Sequence, residues 1–162
     1  MKYLLVLRHA KSSWKDEALG DFDRPLNNRG KHDAPRMGRL LADMDLIPDL
    51  IITSGAKRAK STAKAAADSS GYEGEIDVRS QLYMAMPDDY FAVLNEVPDS
   101  NERVMVVGHN PGVEELLEQL TGIWERMPTA ALAHLGLDIE SWQGVDFDTT
   151  AKLIGVWRPK EL

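Results

Sequence analysis

Tyr3-Leu4-Leu5-Val6-Leu7-Arg8-His9 is the stretch on which the reading of the fold turns. It is a short apolar run rich in branched residues, ended abruptly by an Arg-His pair, and it predicts a buried strand. Leu50 to Thr53 and Arg103 to Val107 repeat the type, each followed by a Gly, Ser or His turn. Between these runs, Arg29 to Met44 and Lys57 to Asp68 carry apolar or small residues at helical spacing, and Pro111 to Leu120 opens with an Asn-Pro pair that starts helices well. Asp77 to Arg79 adds a short strand, Pro87 to Glu96 a helix, and Ala130 to Leu137 with Leu153 to Trp157 a closing pair of strands. Gly71 to Gly74 reads as a surface loop. Strands alternating with helices predict a three-layer α/β/α sandwich with a mostly parallel central sheet.

The 162 residues, 43% of them hydrophobic, suffice for one substantial core and are too few for two ordinary domains, so residues 1–162 are expected to form one domain. A net charge of -7 disfavours nucleic acid and anionic membrane surfaces as partners, so any anion site must be locally basic. With no cysteine there is neither disulfide nor thiolate zinc site, which fits a reducing compartment such as the cytoplasm. Met1 to Leu7 has the lysine and apolar run of a signal peptide, but Arg8-His9 ends it before a cleavable or spanning length. A monomer is expected.

In a parallel α/β sheet the ligand crevice lies beyond the carboxyl ends of the strands. Two histidines fall there: His9 after the first strand, and His109 after Arg103 to Val107 across Gly108. Their matching placement makes them the candidate reactive pair. His32, in a polar helix, and His134, inside a strand, are read as structural. Arginine offers a planar fork suited to phosphate oxygens; Arg8 adjoins His9 and Arg58 lies in the first turn of a helix. Ser54 could cap that helix, whose free N–H groups would favour an anion. Within Lys57-Arg58-Ala59-Lys60, however, Arg58 could equally be one of three solvated bases. Arg24, in Asp23-Arg24-Pro25-Leu26, is a weaker candidate, since a turn salt bridge with Asp21 or Asp23 explains it too.

These segments carry a resemblance. Leu7-Arg8-His9-Ala10 resembles the Arg-His-Gly signature of the histidine phosphatase superfamily, Thr53-Ser54-Gly55-Ala56-Lys57-Arg58-Ala59 its second-arginine segment, and Gly108-His109-Asn110-Pro111 its second-histidine segment. The opening Arg-His-Ala-Lys-Ser-Ser-Trp, Asp23-Arg24-Pro25-Leu26 and Gly-His-Asn-Pro-Gly are most similar to the SixA-type phosphohistidine phosphatases, from Tyr3 to about Trp157. The resemblance implies a phosphoglycerate mutase-like fold, a signalling role, and transient phosphorylation of His9, with Arg8, Arg58 and His109 around the phosphoryl oxygens. It adds Arg24, Ser54 and Asn110 as substrate contacts and calls for no cofactor and no metal. The expected partner is a protein carrying phosphohistidine, or a small phosphorylated substrate.

The pattern departs from the larger members in two places. Where they carry an acid that protonates the leaving oxygen, this chain reads Gln81-Leu82-Tyr83-Met84-Ala85-Met86, with no carboxylate before Asp88. An alkoxide needs that proton, whereas imidazole, with a conjugate-acid pKa of about 6.5, can leave neutral once its remote nitrogen is protonated. Phosphohistidine or an activated aryl phosphate is therefore favoured over an alkyl ester, unless Asp88, Asp89 or a carboxylate from Asp16 to Asp23 folds over the site. Ala10 replaces the usual glycine, at a cost of about 1 kcal/mol if that position needs positive φ. The short chain leaves little length for a lid and predicts an open site, with Trp14 and Tyr83 as aromatic candidates at its mouth. Three alternatives remain: a phosphatase or mutase for a small phosphorylated metabolite, a noncatalytic phosphate-binding module, and, more distantly, a metal hydrolase.

Overall fold

The computed structural model describes residues 1–162. Ten regular elements follow one another: β1 (Lys2–Arg8), α1 (Asn28–Asp43), β2 (Leu50–Ser54), α2 (Lys57–Ser70), β3 (Ile76–Arg79), α3 (Pro87–Leu94), β4 (Arg103–Gly108), α4 (Gly112–Thr121), β5 (Leu132–Leu137) and β6 (Ala151–Trp157). The strands form one sheet in the order β3-β2-β4-β1-β5-β6. Pairings β3-β2, β2-β4 and β4-β1 are parallel, and β5 runs antiparallel to both β1 and β6.

Alternation along β1 builds the three layers, because successive side chains of a strand point to opposite faces. Leu4 and Val6 join Tyr90, Phe91 and Leu94 of α3 and Val113, Leu116 and Leu117 of α4 in one core. Leu5 and Leu7 join Met37 and Leu41 of α1 and Ala59, Ala63 and Ala66 of α2 in the other. This is the expected α/β/α sandwich. No helix is long and apolar enough to cross a membrane.

Several boundaries differ from the sequence reading, each for a local reason. α1 starts a residue early, where the Asn27 side chain accepts the Gly30 N–H at 2.9 Å. α2 runs two residues further than expected and stops at Gly71, whose φ of 82° suits a residue without Cβ. α3 ends at Leu94, after which the Asn95 amide donates to the carbonyls of Trp142 and Val145 at 3.0 and 2.9 Å. β5 begins at Leu132 instead of Ala130, because Ala130 turns through φ 62° and its N–H bonds the carbonyls of Arg8 and His9.

Candidate active site

The sheet register creates the site. Arg8 stands opposite Gly108 and Thr53 opposite Val107 in adjacent parallel strands, so His9, His109 and Ser54 reach the same carboxyl edge together. The His9 N–H donates to the Gly108 carbonyl at 3.0 Å, and the two imidazole centroids lie 5.0 Å apart. Gly108 is required at this point, since a Cβ there would come within 1.9 Å of the buried Tyr90 hydroxyl.

His9 is 6% exposed, and its Nδ1 lies 2.7 Å from the Ala10 carbonyl oxygen. A carbonyl only accepts, so Nδ1 carries the proton and Nε2 holds a free lone pair. Burial pushes the pKa of His9 down to about 3; the Ala10 carbonyl acts the other way, and the charges of His109, Arg58 and Arg8 add to the depression. The ring is neutral at physiological pH. His109, 4% exposed, is likewise pushed down to about 4 by burial and then by Arg58, with Asp21 opposing. Its Nε2 shares a 2.7 Å hydrogen bond with Ser54 Oγ, while its buried Nδ1 has no partner.

Three arginines converge on this pair from different elements. Arg58 is 4% exposed, whereas Lys57 and Lys60 are in water, so the picture of three equivalent solvated bases does not hold. Its terminal nitrogens donate to the Asp21 carbonyl at 2.6 Å and to Asp21 Oδ2 at 3.0 Å. Arg24 is also buried, donating from Nε to Asp21 Oδ1 at 3.1 Å and from a terminal nitrogen to Ser12 Oγ at 2.8 Å; its guanidinium lies 3.5 Å from the centroid of the Trp14 ring. Arg8 donates to the Met127 carbonyl at 3.0 Å, an oxygen that also accepts the Asn110 amide at 2.9 Å. Asn110 thus lies behind Arg8, its amide nitrogen committed to backbone. The Nε atoms of Arg8 and Arg58 are buried without hydrogen-bond partners.

Ser54 corrects the capping expectation. Gly55 and Ala56 separate it from α2, so among the N–H groups there its oxygen reaches that of Ala56 at 3.2 Å, and Ala56 stands at the N-cap with no side-chain cap. Ala10 is fully buried, and only Asp45, Met84 and Ala130 among the non-glycine residues have positive φ; alanine brings no strain there. The 3-10 turn Asp21–Asp23 folds over Arg58, the Phe22 and Tyr83 rings meet edge to face, and Tyr83 packs edge-on against His109 at 5.5 Å. Trp14 remains 70% exposed. The largest groove, 760 Å³ between Met86, Asp88, Glu115, Glu118 and Phe147, is not lined by either histidine.

Sequence reasoning named Asp21 as a turn partner of Arg24, which it is, and otherwise only within a range of carboxylates, yet it is the one that reaches the site. Tyr83 donates to Asp21 Oδ2 at 2.6 Å, and that hydroxyl, then Arg58 and Arg24, hold Asp21 at about 2 against the opposing effect of burial. Asp89 instead accepts the Met86 N–H at 2.8 Å at the head of α3, and Asp88 is exposed along the groove. Thr62 was missed: its hydroxyl joins the Ala10 N–H to the Arg58 carbonyl. The only signal was its position four residues after Arg58, on the same helix face. The Met127 carbonyl has no sequence signal. His32 is exposed and His134 packs against Tyr3, both away from the pair. No group of three His, Asp or Glu side chains is placed to share a metal ion.

Comparison with known proteins agrees with this geometry. The sequence model of the histidine phosphatase superfamily (branch 1) matches residues 4–82. An uncharacterized chloroplastic protein of Arabidopsis thaliana is 33% identical over 150 residues, covering 86% of this chain and 68% of that protein. A crystal structure from Agrobacterium tumefaciens, assigned as the phosphohistidine phosphatase SixA, superposes with a TM-score of 0.82 at 30% identity over 98% of both chains. A protein histidine phosphatase SixA complexed with tungstate shares the fold, with a TM-score of 0.84 at 21% identity over 98% of both chains. With these likenesses in sequence and fold, the chain belongs to the histidine phosphatase superfamily and is of its SixA type.

Proposed function

We propose that this chain is a metal-independent phosphatase that takes the phosphoryl group of phosphohistidine on a signalling protein, through a covalent intermediate on His9. The observation that carries the reading is the Nδ1 hydrogen bond of His9 to the Ala10 carbonyl, which leaves Nε2 unprotonated among Arg8, Arg58 and His109. Nε2 attacks phosphorus in line. The P–N bond of the substrate breaks, its electron pair returns to the substrate imidazole, and that ring leaves neutral with a proton on its remote nitrogen. Arg8, Arg58 and His109 meet the charge on the equatorial oxygens, with Arg24 further out. Water then attacks phospho-His9, and the ring is released neutral with its Nδ1–H still donated to the Ala10 carbonyl. A single domain over residues 1–162 is part of the same proposal.

The leaving group follows from the acid–base inventory. Asp89 is held at the head of α3, Asp88 faces a groove that neither histidine lines, and Asp21 is ionised above about pH 2, so none of the three supplies a proton to an alkoxide near neutrality. Imidazole needs no such donor. The test is steady-state hydrolysis, with EDTA present, of a phosphohistidine peptide, p-nitrophenyl phosphate and 3-phosphoglycerate, by wild type and His9→Ala. His9-dependent loss of phosphohistidine with little action on the glycerate ester is expected. Preference for the alkyl ester would instead indicate a metabolic phosphatase, and no turnover a binding module.

A further inference from the structure

The turn Asp21–Asp23 is the part of the site that this mechanism leaves without a task. Asp21 offers Arg58 two acceptors, its own carbonyl and Oδ2, and offers Arg24 Oδ1 at 3.1 Å from both Nε and a terminal nitrogen. Tyr83 donates a further hydrogen bond to the carboxylate, at Oδ2. Two guanidinium forks and a phenol on one small anion are the recognition chemistry of a phosphoryl group. Held by these donors, the carboxylate stays ionised and has no proton to give a leaving group. Beneath it, Arg58 Nε, Arg8 Nε and His109 Nδ1 are buried without partners. The guanidinium donors are thus divided: outer nitrogens of Arg58 and Arg24 are held by Asp21, while Nε of Arg58 and of Arg8 are unsatisfied.

We propose that Asp21 is a specificity-determining residue, an internal anion that holds the phosphoryl-binding arginines and must be exchanged for the phosphoryl group of the substrate. This rests on the reading of Arg58 and Arg24 as phosphoryl ligands. The Asp21 side chain is 43% exposed, while that of Arg58 is 5% exposed, so the carboxylate can swing into water while the guanidinium stays in place. Free phosphate and small monoesters have only their phosphoryl group to set against this competitor. A phosphoryl group borne by a protein brings further contacts, for which the exposed Trp14, Phe22 and Met84 are at hand. Asp21 therefore biases the site against its own product and against small phosphates, and towards a phosphoprotein.

Inorganic phosphate, titrated calorimetrically and as a competitive inhibitor of the full chain, is the probe. Asn in place of Asp21 keeps the size and one acceptor oxygen and removes the charge. In Asp21→Asn, phosphate should bind about tenfold tighter or more, the scale expected for removing one unit charge a few ångströms from an anion. Tyr83→Phe, which loosens the carboxylate, should give a smaller gain in the same direction. The preference for phosphohistidine peptide over p-nitrophenyl phosphate should shrink in Asp21→Asn. Unchanged or weaker phosphate binding in folded Asp21→Asn would overturn the proposal and make Asp21 a support for the arginines. If that variant does not fold, unchanged or weaker binding in Tyr83→Phe overturns it. Phosphate binding that survives Arg58→Ala undiminished would sink the reading of the site itself, and with it this inference.

Discussion

The Ala10 N–H donates to Thr62 Oγ1 at 2.9 Å, and the same hydroxyl donates to the Arg58 carbonyl at 2.7 Å. One buried oxygen therefore couples the peptide after His9 to the helix that carries Arg58. Thr62→Val keeps the shape and strands the Ala10 N–H, which should cost about 1–3 kcal/mol in urea unfolding and lower turnover, whereas Thr62→Ser should retain most of both. A Thr62→Val protein as stable as wild type would show that this hydroxyl is idle.

His9→Ala should lower turnover by at least about 10³-fold while the protein remains folded. Quench of wild type with alkaline detergent, in which a P–N bond survives, during turnover of a radiolabelled phosphohistidine protein should leave label on the enzyme, and His9→Ala should leave none. Label retained by the variant would place the nucleophile elsewhere.

Arg58→Ala should reduce kcat/KM by about 10²–10³-fold, and Arg58→Lys should restore little, because an ammonium cannot reproduce a planar fork. Full rescue by lysine would show that charge alone is used.

Acid pH should affect activity and stability in different windows. Because His9 and His109 are depressed to about 3 and 4, the free-enzyme profile of kcat/KM should lack a limb near 6.5 and should decline only below about pH 5. In the unfolded chain both rings bind protons near 6.5, so between there and about 4 the unfolded state holds more protons than the folded one. The stability they contribute is complete above 6.5 and is lost as pH falls. Melting temperatures from pH 7.5 to 4.5 should decrease on acidification; a flat profile would contradict the burial of neutral rings.

Gly108→Ala should cost about 1–3 kcal/mol by driving a methyl group against the Tyr90 hydroxyl. Tyr90→Phe removes that oxygen and should recover part of the loss, a coupling readable in a double-mutant cycle. Additive effects would mean that the phenol is not what excludes a side chain there.

The sheet and the histidine pair were legible because their signals are local: an apolar run specifies a buried strand, and a residue just beyond it is carried to the carboxyl edge. The same locality explains the misses. Ala130 belongs by composition to the strand that follows, and only its long-range bonds to Arg8 and His9 turn it out of that strand. Ser54 has the chemistry of a cap, but the helix begins two residues later than its hydroxyl can serve. Asp21 looked like one acid among several before Arg24; what singles it out is Arg58, thirty-seven residues away, and Tyr83, sixty-two away.

The order β2-β4-β1 also governs when activity can exist during folding. His9, Ser54 and His109 come from strands separated by some fifty to one hundred residues, and each reaches the edge only through pairing with a distant neighbour. Such long-range pairings are slow to close, because loop entropy is lost before the contacts that offset it are made. A chain with β1 and its first two helices in place has His9 but no opposing imidazole, since β4 lies between β2 and β1 and arrives late in the sequence. Recovery of phosphatase activity on refolding is therefore a clock for insertion of the central strand, with helix formation invisible to it.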